Sequence, residues 1–265
     1  MKNVIMRKEF EKIERELGLE RSFSTVPSRT ETQRFFTMFL GTLFPKLLGT
    51  GEPATRVRIE LELKLLLYPI LGEEESSRVC EGFFMEVPEI FRNLLDDARI
   101  YAENDPAAYS WEEVVLSYPG FYAVMIYRFS HLLHKLGVPV LPRMVSEMAH
   151  SKTGIDINPE AQIGSHFYID HGTGIVIGQT TIIGDNVKIY QGVTLGAAFV
   201  DKGQRGKRRH PRIEDNVIIY AGSTILGGDT VIGHDSVIGG NVWLVKSVPP
   251  FSKVYCKPDI HIKEM

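Results

Sequence analysis

The 265-residue chain has only two cysteines, Cys80 and Cys256, too few for a disulfide framework. It has no run of about 18 apolar residues, so nothing in it reads as a membrane-crossing helix. The opening stretch MKNVIMRKEFEKIERELG mixes charges with apolar residues and so lacks the unbroken apolar core of a secretory signal. No charge of one sign dominates either. Lys and Arg number 30 against 33 Asp and Glu, interspersed, for a net charge of −3, which points away from nucleic acid and anionic membranes as partners. These absences describe a cytoplasmic protein of one large or two modest domains, with enough apolar content for a real core.

What is present divides the chain in two. Residues 1 to about 152 read as helices. Lys2–Leu19 has apolar residues at helical spacing (Val4, Ile5, Phe10, Ile13, Leu17), and further helices are expected at 30–48, 54–71, 73–104, 110–117 and 119–136. Pro88 should interrupt or kink the 73–104 segment. Ser110-Trp111-Glu112-Glu113 has the capping-box pattern of a helix start. Asp105-Pro106 reads as a helix N-cap followed by a first-turn proline.

From residue 157 helical spacing is missing and a period of six replaces it. An aliphatic opens each unit: Ile157, Ile163, Ile169, then after an eight-residue step Ile177, Ile183, Ile189 and Leu195. The rhythm resumes at Ile213, Ile219, Ile225, Val231 and Val237, with Trp243 in phase. Small or β-branched residues recur four places on, at Ala161, Thr181, Val187, Val193 and Val217. A fixed short period means stacked units that bury their apolar faces only against each other. One large aliphatic per six residues, β-branched for the most part, fits a short strand plus a corner, three to a coil. The fold class is therefore α+β: an α-helical domain over 1–152, then a parallel β-helix over 153–250. GAAFVDKGQRGKRRHPR, between Leu195 and Ile213, is too polar for coil wall and should be a loop (196–212) extruded from a corner. Residues 251–265 form a tail.

The segment Thr153–Ala197, with IDINP, DHGTG and VTLG in order, followed by RRHPRI and preceded by DPAA (Asp105–Ala108) and YPGFYAVMIYRFSHLL (Tyr118–Leu133), resembles the serine O-acetyltransferases. These are hexapeptide-repeat acyltransferases, and the resemblance implies left-handed coiling. It also implies transfer of acetyl from acetyl-CoA to the L-serine hydroxyl on the route to cysteine. A serine hydroxyl needs a positioned base, and His171 matches the family's. By resemblance Asp156 is the carboxylate that orients it. Asp105 and Asp170 match the positions facing the substrate ammonium, and Arg209 and His210 those facing its carboxylate. Gly196, Ala197, Ala221 and Gly222 match small-residue positions along the pantetheine arm, where backbone must approach the ligand. Lys246, or Lys202, Arg205, Lys207 and Arg208 of the loop, are candidates for the CoA phosphates.

The same resemblance implies a site between subunits of a homotrimer, and the helical half could pair two trimers into a hexamer. Complex formation with cysteine synthase goes with a terminal isoleucine in the family, whereas this chain ends Ile262-Lys263-Glu264-Met265. Asn158 stands where many members have histidine. A metal site is not expected. Some left-handed β-helix proteins are zinc enzymes, but His166, His171, His210, His234 and His261 do not supply three converging ligands. The alternatives are a related acyltransferase acting on another hydroxyl or amine, such as a sugar, and a trimeric scaffold that has lost catalysis.

Overall fold

The computed structural model describes residues 26–49, 54–198 and 207–257. The helix expected over Lys2–Leu19, the loop residues Lys202 and Arg205 and the chain's last eight residues lie outside them. The first described helix, α1 (Arg29–Leu43), starts at a capping box: Ser28 Oγ accepts from Glu31 N–H at 3.1 Å while Glu31 Oε2 accepts from Ser28 N–H at 2.8 Å. It stops sooner than expected because Phe44 precedes Pro45, which disfavours a helical conformation there. The helices α2 (Arg56–Leu71), α3 (Glu73–Asn104), α4 (Trp111–Ser117) and α5 (Pro119–Lys135) follow.

Three details differ from the expectations. Helix α3 is not interrupted at Pro88, since both flanks are locked by burial, Val79, Cys80 and Phe83 on one side and Leu94, Ala98 and Tyr101 on the other. A sixth helix, α6 (Leu141–Thr153), is not among those expected, although it has Pro142 in its first turn and left-handed Gly154 as its C-cap. Asp105 does not start a helix. It closes α3, its N–H bonding to Tyr101 O at 3.1 Å, and its side chain caps a turn by accepting from Ala107 N–H at 2.8 Å.

Strands of two or three residues follow: β1 (Asp156–Ile157), β2 (Gln162–Ile163), β3 (Tyr168–Asp170), β4 (Val176–Ile177), β5 (Ile182–Ile183), β6 (Lys188–Tyr190), β7 (Thr194–Gly196), β8 (Arg212–Ile213), β9 (Ile218–Ile219), β10 (Thr224–Leu226), β11 (Val231–Ile232), β12 (Val237–Ile238), β13 (Trp243–Leu244) and β14 (Lys253–Val254). They stack in parallel into three sheets: β1-β4-β7-β10-β13, β2-β5-β8-β11 and β3-β6-β9-β12-β14. Every third strand pairs as far as β13, so each coil is a triangle and the sheets meet at three columns of corners, and β14 then closes on β12. The openers Ile157, Ile169, Ile177, Ile183, Ile189, Leu195, Ile213, Ile219 and Ile225 all point inward and are buried, as are the small residues Ala161, Thr181, Val187, Val193 and Val217. The phase then slips. Ile232 and Ile238 take the interior places, and Val231, Val237 and Trp243 face outward, because the Gly227–Thr230 corner holds one extra residue. Trp243 is 67% exposed.

The helices grip the first coil with side chains that satisfy its backbone. Tyr127 donates to Ala161 O at 2.5 Å, and His131 Nδ1 lies 2.8 Å from Pro159 O. Arg128 joins buried Asp97 of α3 (2.7 Å) to Gly164 O (3.2 Å). Burial pushes the Asp97 carboxyl up in pKa against the pull of Arg128. Fully buried Tyr101 accepts from the N–H of Ile169 in β3 (Tyr168–Asp170) at 2.9 Å. Gly120, near the start of α5, lies so close on Ile169 that a Cβ would overlap its carbonyl oxygen. The helical half is therefore seated at β3, one residue before Asp170 and His171.

Candidate active site

The sequence-derived site residues fall into two groups, one on each edge of the first sheet. At the corner from third to first sheet, Asp170 ends β3 and His171 follows in the left-handed region, at φ 55°. This conformation turns the imidazole outward, and its side chain is 71% exposed. Its Nδ1 lies 3.8 Å from Asp170 Oδ1. Asp105 joins this group from the helical half. Tyr118 donates to Asp105 Oδ2 at 2.6 Å, so both Asp105 oxygens are engaged. The Tyr118 hydroxyl, the Ala107 amide and His171 together hold the Asp105 carboxyl below its ordinary range. The bond to Asp105, with added burial, pushes the Tyr118 phenol up to about 12, so it remains a donor. Tyr190 pairs with Asp170 on the next coil, and its ring stacks on Tyr220 at 5.0 Å. Burial first, then Asp170, raises its pKa. Ala221 and Gly222 lie in this same column of corners, the Asn241 amide bonding to Ala221 O and the Gly222 amide to Gln191 O.

At the corner from first to second sheet, Gly178–Thr181, the returning end of the loop brings in Arg209 and His210. Arg209 donates to the amide oxygen of Gln179. His210 is only 7% exposed and lies against Gly178, where a Cβ would overlap the imidazole ring. Burial, then Arg209, pulls its pKa down to about 4, so this imidazole is neutral. Gly196 and Ala197 leave β7 (Thr194–Gly196) at this column, and Lys246 lies in it one coil beyond Gly227–Thr230. Asn158 shares the column, where its side chain caps the turn by accepting from Glu160 N–H at 3.0 Å.

Within one chain the two groups remain apart, and so do the four small positions. Asp156 is near the first group, but no hydrogen bond or ion pair joins it to His171. Its carboxylate lies 3.6 Å from Arg143 Nη1, and Arg143 also pairs with Glu147. The stacking explains this. Asp156 aligns with Val176, a 20-residue step in the first coil, so His171, 15 residues on, sits in the preceding corner and not opposite Asp156. Among the described residues one group of three metal-capable side chains occurs, Glu147, His150 and Asp156, with ligand atoms within 4.8 Å of each other. Its two carboxylates are already matched by Arg143. His166 and His171 lie at different corners, and His166 is satisfied by Asn186 at 3.1 Å.

Tyr118, Gly178, Gln179 and Thr180 escape the sequence reading. Tyr118 stands inside the Tyr118-Pro119-Gly120 signature, but no spacing rule ties it to Asp105, 13 residues earlier. The 30-residue separation of Thr180 and His210 conceals their meeting in the same way.

No protein-family model matches the chain. A plasmid-borne serine acetyltransferase of Synechococcus elongatus is 49% identical over 186 residues, 68% of this chain and 58% of that protein. The serine acetyltransferase of Bacillus subtilis is 44% identical over 164 residues, 62% of this chain and 73% of that protein. The chain belongs to the serine acetyltransferase family. A crystal structure of Entamoeba histolytica serine acetyltransferase 1 in complex with L-cysteine superposes with a TM-score of 0.76 at 35% identity, covering 83% of this chain and 85% of that one. Members of the family have the left-handed form of the coil described above. The chain spans between 54% and 64% of the length of three cyanobacterial relatives. Among the described residues no helix is long and apolar enough to cross a membrane.

Proposed function

We propose that the chain is a serine O-acetyltransferase, taking acetyl from acetyl-CoA to the hydroxyl of L-serine and releasing O-acetylserine and CoA in the cytoplasm. The observation that carries this reading is the pairing of an acidic and a basic edge on one sheet. Asp105 and Asp170 offer carboxylates for an ammonium, and Arg209 with His210 offers only donors, as an amino-acid carboxylate requires. A neutral sugar has no use for either. The relative crystallised with L-cysteine supports an α-amino acid as ligand.

The two edges complete one site when the acidic edge of one copy meets the basic edge of the next, and a ring of three copies does this at every junction. The homotrimer is therefore part of the proposal, with the helical unit (1–152) supplying Asp105 and the coil (153–250) the rest. Exposed His171 takes the serine proton as Oγ attacks the thioester carbonyl. The C–O bond forms, the C–S bond breaks, and the proton goes on to the departing CoA thiolate. Asp156 turns from Arg143 toward the imidazolium as charge develops on it. Gly196 and Ala197 of one copy and Ala221 and Gly222 of its neighbour flank the pantetheine arm, with Lys246 toward the phosphates.

The test is thiol release from acetyl-CoA with L-serine, D-serine, homoserine and a panel of sugars. Release with L-serine is expected. Release with a sugar alone would move the assignment to a sugar acyltransferase, and silence throughout, to a scaffold.

A further inference from the structure

Thr180 has no role in the reading above, yet its hydroxyl is the centre of the basic edge. Its Oγ1 accepts from the N–H of Arg209 at 2.9 Å and from the N–H of His210 at 3.1 Å. The same atom lies 2.8 Å from His210 Nδ1, and the Thr180 main-chain N–H reaches that nitrogen at 3.0 Å. A main-chain N–H can only donate, so Nδ1 carries no proton and accepts. The hydroxyl must then donate to Nδ1, which uses its one proton and both its lone pairs. A neutral imidazole with bare Nδ1 carries its proton on Nε2. Gly178 leaves the space in which the ring lies. The neighbouring Gln179 holds the Arg209 guanidinium through its amide oxygen.

We propose that Thr180 is the positioning residue of the carboxylate-binding half: it pins the Arg209–His210 backbone and fixes His210 as a neutral donor through Nε2. This rests on the proposed serine acetyltransferase function. A threonine at this corner thus decides which end of the acceptor the basic edge can read. Protonation at Nδ1 would set one N–H against another, so the arrangement keeps His210 a hydrogen-bond donor of constant charge.

The test compares the wild-type protein with Thr180→Val and Thr180→Ser on L-serine and on L-serinamide, which keeps the ammonium and hydroxyl but lacks the carboxylate. Thr180→Val should raise the KM for L-serine about tenfold, the weight of one charge-assisted hydrogen bond, with the KM for acetyl-CoA unchanged. Its preference for L-serine over L-serinamide should shrink by the same factor, and Thr180→Ser should retain it. Equal losses on both acceptors, or no change in KM, would overturn the proposal. If the wild-type protein released no CoA with L-serine, the functional reading itself would fail. The imidazole nitrogen shifts of His210 then decide the tautomer alone: a bare Nδ1 in wild type and Thr180→Ser supports the lock, and a protonated Nδ1 in wild type removes it.

Discussion

Two histidines stand on opposite edges of one sheet and are treated in opposite ways. His171 projects from a left-handed corner into solvent, beside two carboxylates. His210 is packed on Gly178, saturated at Nδ1, and pulled to a pKa of about 4. The exposed ring is open to solvent, and the buried one is held neutral. The acidic edge is assembled across the two halves of the chain, through Asp105, Tyr118 and the grip of α5 on β3. The basic edge is assembled by the coil and its loop. In the proposed reaction the same side chain thus serves as base where it is exposed and as fixed donor where it is buried.

Removing the exposed ring should have the largest effect. His171→Ala is expected to lower turnover about 10²- to 10⁴-fold in a steady-state assay, with the fold intact by circular dichroism. Near-normal turnover would break the contrast between the two rings. Next in size, Gly178→Ala should displace His210 and Arg209 and cut kcat/KM for L-serine about 10²-fold, because a small misplacement of a positioning group costs that much. A smaller change is expected on the acidic edge. Tyr118→Phe should raise the KM for L-serine roughly five- to tenfold with kcat little altered, as one hydrogen bond to Asp105 is lost.

The smallest effect concerns stability. His210 binds a proton at about 6.5 when unfolded and at about 4 when folded. The unfolded chain therefore gains protons first as pH falls, and the stability this residue preserves above 6.5 is lost progressively down to about 4. Unfolding midpoints measured across that window should fall more steeply in wild type than in His210→Gln. His131, also depressed by burial, keeps part of the slope in both.

Much of the coil was legible because its period is short and strict. Ile157 to Ile225 announce the interior directly, and the hexad implies triangular coils. Legibility failed where one residue was inserted. The Gly227–Thr230 corner shifts the inward set from Val231 and Val237 to Ile232 and Ile238, and a six-residue count cannot anticipate the slip. The helical half is legible as helices, but a local reading of Asp105-Pro106 as a helix start fails because Asp105 closes α3 instead. Candidate residues carried by motifs were found. Residues that act through them, such as Tyr118 and Thr180, were missed because their partners lie 13 and 30 positions away.

Strand β5 (Ile182–Ile183) bonds to β8 (Arg212–Ile213) across 30 residues, while β4 bonds to β7 across 18, with the same ladder geometry. Chain length between floors of this staircase is thus independent of the height of the step. Material can be added at a landing without disturbing the flights above or below, since lengthening an already closed loop costs little. The landing between β7 and β8 is the one that delivers Arg209 and His210. An architecture of this kind can change what the proposed acceptor site grasps by lengthening or trimming one landing, while the stair that holds His171 stays as built.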